Sequence, residues 1–107
     1  MPLTREILHL NTAIQQMTPA KGIASLEKAF SQLQELLDRL RQTNEHNPRY
    51  LLAWNLVTYY APSDLKTLQE SFANSQRVEF SAQAIETYEM AFTHFMEQLD
   101  LAISLLV

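Results

Sequence analysis

The 107-residue chain has no cysteine and a single glycine. Without cysteine there is no disulfide framework, no thiolate metal site and no cysteine nucleophile. One glycine cannot build a glycine-rich phosphate loop. With only four prolines beside it, turns are scarce, and an all-β fold, which turns every 8–12 residues or so, is excluded. No apolar run approaches the ~20 residues that cross a bilayer. The first residues, with Arg5 and Glu6, do not resemble a secretory signal, and cytoplasm is the expected compartment.

Positive charge is missing from the last third. After Arg77 the only charged side chains are Glu79, Glu86, Glu89, Glu97 and Asp100. Residues 1–49 hold six basic and five acidic side chains; residues 50–107 hold two basic and seven acidic, for a net charge of −4 overall. A phosphate backbone is repelled by such a half, which argues against nucleic acid as a partner. A solvated face is the plain reading and a docking face for a basic partner the sharper one.

What the chain does have is apolar spacing of helical period. Ile85, Tyr88, Phe92, Phe95, Leu99, Ala102 and Leu106 step by three and four residues, as do Ile23, Leu26, Phe30, Leu33, Leu37 and Leu40, and Leu3, Ile7, Leu10, Ile14 and Met17. This spacing holds side chains on one face of an α-helix and is foreign to a strand. The expected helices run from about Leu3 to Met17, from Thr18-Pro19 or nearer Ile23 to about Gln42, from Pro48 to about Tyr60, from Ser63 or Asp64 to about Ala73, and from Ala82 to Leu106. Asn47-Pro48 reads as an N-cap followed by proline at the first helical position. Ser81 reads as the last N-cap, with Phe80 and Ile85 placed as a hydrophobic staple. Val78 to Phe80 is expected to be briefly extended. Arg39 follows Glu35 at the spacing of a helical ion pair. Pro62 disfavours helical geometry in the residue before it. The expected fold is therefore all-α: one domain over residues 1–107, an antiparallel four-helix bundle whose third helix is broken at Pro62, giving five helical segments. A five-helix orthogonal packing is the alternative.

Candidate chemistry is sparse. Glu6 and His9 have the Glu-x-x-His spacing of di-iron bundles, but such sites need a second copy, and His46 and His94 have no glutamate three residues earlier. No cofactor or metal is expected, and no acid–base pair or nucleophile elbow is present. Arg41 and His46 fit an Arg-x4-His pattern that resembles the signature of the HEPN ribonucleases, small helical bundles. The resemblance covers two residues and implies RNA cleavage by paired arginine and histidine across a dimer. Arg41 and His46 also read as a helix C-terminal charge and a loop histidine. His94 falls off the main stripe of the last helix and is expected to be an exposed or interface histidine, not a catalytic one. Tyr50, Trp54, Tyr59 and Tyr60 belong either to the core or to the pocket of a small-molecule sensor; buried tyrosines need hydroxyl partners. At the end of the last helix, Leu101, Ile103, Leu105 and Val107 are surplus to the bundle stripe and read as an interface. These features favour a small non-enzymatic module that binds another protein, itself included as a homodimer.

Overall fold

The computed structural model of the protein describes residues 2–77 and 81–107. The side chain of Leu3, the Val78–Phe80 segment and the staple expected of Phe80 lie outside the described side chains. All regular structure among the described residues is helical: α1 (Pro2–Gln15), α2 (Ala24–Asn44), α3 (Pro48–Asn55), α4 (Ala61–Ser75) and α5 (Ala82–Leu106).

Two helix starts follow directly from their first side chains. Asn47 Oδ1 accepts from the Arg49 amide at 3.0 Å, with Pro48 opening α3. Ser81 Oγ accepts from the Ala84 amide at 3.0 Å. Each satisfies one of the amides that a helix start leaves free. Thr18 makes no such bond; it precedes a short 3-10 turn, Pro19–Lys21, closed by Gly22 at φ 86°. The second helix then begins beside Ile23, the later of the two expected starts.

The third rod is interrupted next to Pro62, as expected, but the chain does not leave the helix there. A π-turn, Leu56–Tyr60, joins α3 to α4, and the Ala61 amide bonds to the Leu56 carbonyl five residues back. Proline explains it. Pro62 has no N–H for the carbonyl four residues earlier, and its ring crowds that carbonyl. A widened turn makes room for the ring. Because helical backbone continues through Pro62, neither Ser63 nor Asp64 begins a helix, and α4 starts at Ala61 instead.

The rods pack as an antiparallel four-helix bundle, with α3, the π-turn and α4 as its third member. The Tyr50 hydroxyl donates to the Leu37 carbonyl at 2.6 Å and Gln69 Nε2 to Glu27 Oε2 at 2.7 Å. Rising numbers on the third rod thus meet falling numbers on α2. Arg49, at the start of α3, donates to the carbonyls of Ser104 (3.0 Å) and Leu105 (3.3 Å), so the end of α5 lies beside it. Ile14, Leu26, Leu33, Leu37, Val57, Leu68, Phe92, Phe95 and Leu99 fill the centre, and the buried side chains of every helix form one cluster. Arg39 does not pair with Glu35. It reaches across to Glu6 of α1 at 3.0 Å, an exposed pair worth about 0–1 kcal/mol.

Candidate functional site

The seam between the third rod and α5 is set by two ties. Arg49 holds the last carbonyls of α5, where a cation also complements the negative end of the helix dipole. Farther along the seam, His94 Nε2 stands 3.6 Å from Asp64 Oδ1 and 3.4 Å from Gln98 Nε2. In the tautomer that leaves His94 Nε2 without a hydrogen, that nitrogen accepts from the Gln98 side-chain amide.

These ties fix which side chains share the outer surface. Leu52 and Leu56 lie three and seven residues after Arg49, on its face of the helix. Leu101 and Leu105 lie seven and eleven residues after His94, on its face. Three residues up from Arg49 and three down from Ser104 bring Leu52 level with Leu101. Leu52 is 55% exposed and Leu101 51%. Leu56 and Leu105, on the same two helix faces, are partly buried against the core. Tyr60, four residues before Asp64, continues the strip and is 61% exposed. Met90, exposed and four residues before His94, extends it along α5. Beside Met90 runs a shallow furrow of about 430 Å³ lined by Glu86, Glu89, Met90, Thr93, His94 and Glu97.

The four surplus residues of the last helix separate. Leu101 and Val107 are exposed, Leu105 is partly buried, and Ile103 is 1% exposed in the core. A stripe of two residues per two turns fits a helix with one neighbour. The α5 helix packs against α1, α3 and α4 together, which widens its buried arc to take in Ile103.

The aromatic group separates too. Tyr50 is buried with its hydroxyl on Leu37. Burial raises its pKa, Arg41 opposes the rise and Asp38 adds to it. Trp54 carries the Arg41 guanidinium 5.5 Å over its ring and borders a furrow of about 480 Å³ with Ser31, Gln34, Asp38 and Thr58. Tyr59 and Tyr60 stand in solvent on the π-turn, away from that furrow. Of the four rings, Trp54 alone lines this furrow.

Arg41 is engaged by Trp54, whereas the His46 side chain is 94% exposed beside Glu45, 3.5 Å away. Within one chain the structure does not bring Arg41 and His46 onto a shared point. Glu6 is paired with Arg39; with His9 it lines an open groove of about 670 Å³ between α1 and α2, floored by Leu10, Ala13 and Ala29. Among the described residues no three histidine, aspartate or glutamate side chains gather in a metal-binding cluster, and no helix is long and apolar enough to cross a membrane.

Periodicity alone marks Leu101 as surplus, but Leu52 and Tyr60 join it only once the pairing of the third rod with α5 is known. No protein-family model, curated protein or solved structure matches the chain.

Proposed function

We propose that this chain is a non-enzymatic helical module that acts by binding another protein. The observation that carries the reading is the seam strip: Leu52 and Leu101, each about half exposed, stand at matching levels of two helices that pack together, with Leu56 and Leu105 partly buried against the core. Burying a leucine fully contributes roughly 1.5–3 kcal/mol. A run of such residues on one face is what a partner helix or a second subunit covers. The test is a photoreactive benzoylphenylalanine in place of Leu101, with the same group at exposed Gln42 as comparison. Protein adducts in source cells from position 101 and not from 42 are the expected result. The absence of adducts from position 101 overturns the reading.

A second copy of the chain, in a homodimer, is the alternative occupant of the strip. Sedimentation velocity on the wild type and on Leu101→Glu tests it. A dimer that dissociates on that change establishes a second copy as partner; a monomer in both cases removes it. Leu101 is a cleaner probe than Leu105, whose side chain also packs on the core.

A further inference from the structure

We infer that the partner of the seam is a basic amphipathic helix, laid along α5 between Met90 and Leu101. This rests on the protein-binding reading and adds the chemistry of the partner.

The strip has the dimensions of a helix site. On α5, Met90, His94, Glu97 and Leu101 follow one another at four, three and four residues, so they form one outward stripe. All four are exposed. The stripe is about 16 Å long at 1.5 Å per residue, or three helical turns. Leu52, Leu56 and Tyr60 border it on the third rod. A helix with apolar residues at i, i+4, i+7 and i+11 presents anchors over the same length.

Charge decides which helix. Glu86, Glu89 and Glu97 line the furrow beside Met90 and His94, and Asp64 faces His94 across the seam. The α5 helix carries no lysine or arginine. Arg49, at one end of the seam, is committed to the carbonyls of Ser104 and Leu105. Lys66 lies two residues from Asp64 and so projects from a different side of α4. A second copy docking by two-fold symmetry would set this carboxylate-rich face against itself. Lysine or arginine flanking the apolar anchors of the partner would meet those carboxylates instead, giving both selectivity and a faster encounter.

The probe is a fluorescein-labelled 18-residue peptide with leucine at i, i+4, i+7 and i+11 and lysine at the flanking positions, followed by anisotropy at near-physiological salt. Two peptides control for it: the same residues shuffled to destroy the period, and a charge-reversed version with glutamate for lysine. The expected result is binding of the periodic basic peptide at least tenfold tighter than either control. Leu52→Asp/Leu101→Asp is expected to weaken binding at least tenfold. That variant is more acidic, so mere charge attraction would strengthen binding. Glu86→Lys/Glu97→Lys is expected to weaken it at least tenfold as well. Circular dichroism establishes that both variants, altered only at exposed positions, remain folded.

Equal binding of the shuffled peptide, or no loss in the leucine variant, overturns the assignment of the strip. Equal binding of the charge-reversed peptide, or no loss in the lysine variant, overturns the basic partner and leaves the binding module standing. A dimer abolished by Leu101→Glu, with no peptide bound, does the same in favour of a second copy. A monomer that binds no peptide, with no adduct from position 101, removes both readings.

Discussion

Gly22 combines φ 86° with ψ −170°, a region that residues with a Cβ scarcely visit. It lets the chain leave the Pro19–Lys21 turn, whose Pro19 carbonyl accepts from the Gly22 amide at 3.1 Å. Space is not the obstacle to a larger residue: an added Cβ would sit 3.8 Å from Phe72 Cζ, an ordinary contact. Gly22→Ala is therefore expected to lower stability by about 1–3 kcal/mol through backbone strain alone, read by urea denaturation. An unchanged midpoint would mean that the turn relaxes at no cost. Two tyrosines carry a pH dependence. Tyr50 donates to Leu37 and Tyr88 to Pro19, both at 2.6 Å. Burial raises both pKa values above the ordinary 10.0, with Glu89 adding to the rise at Tyr88. The folded state then holds these protons more tightly than the unfolded state. The resulting stabilisation is complete below pH 10 or so and is lost as pH rises above it through the folded-state values. Tyr50→Phe/Tyr88→Phe is expected to lower stability at neutral pH by about 0.5–1.5 kcal/mol per hydroxyl and to flatten the alkaline decline in a denaturation series from pH 8 to 11.

At the scale of the element, the junction before Pro62 shows a local rule meeting tertiary packing. Proline inside a regular helix costs about 3 kcal/mol or more. Here the helical path persists because the junction is anchored throughout: Ala53 before it, Val57 within it, and Ala61 and Leu68 after it, each buried in the core. The π-turn Leu56–Tyr60 is the form in which the rod absorbs the proline. Pro62→Ala restores an amide donor and removes the ring. It is expected to raise stability, by up to about 3 kcal/mol, with an increase in helical circular dichroism as the turn tightens. A loss of stability would show that the core requires the wide turn. The same junction explains what was legible beforehand. Asn47-Pro48 and Ser81 were readable as helix starts because an N-cap acts within three residues of chain. Proline's effect was readable as an interruption. Its form, and the fact that neither Ser63 nor Asp64 starts a helix, depend on what the following turn gains by packing, which no local window contains. The candidate strip divides in the same way. Leu101 followed from the period of its own helix, whereas Leu52, Leu56 and Tyr60 needed the pairing set by Arg49 and Asp64. Ile103 lies in the core, off the stripe of its own helix, because the number of neighbours around α5 is a property of the assembled bundle.

At the scale of the whole molecule, the centre depends on contacts between helices whose backbones stay apart. Phe30 of α2 and Phe95 of α5 meet edge-to-face, with ring centroids 5.4 Å apart and planes at 66°, although α1 and the third rod supply most of the backbone neighbours of α5. Both rings are buried, Phe95 completely. A domain of this size has a total stability of about 5–15 kcal/mol, and a buried Phe→Ala change costs about 3–5 kcal/mol. Phe95→Ala would therefore remove much of what keeps the chain folded, and it would report little beyond cavity formation. Leucine is the better probe, since it retains most of the apolar bulk and loses only the ring geometry. Phe30→Leu and Phe95→Leu, singly and together, form a double-mutant cycle. The expected coupling is about 0.5–1.5 kcal/mol, the contribution of an aromatic pair beyond its buried area, measured from urea midpoints at constant m-value. Strict additivity would show that each ring acts through its own burial, and that the helices are held together by general packing with no specific bridge between α2 and α5.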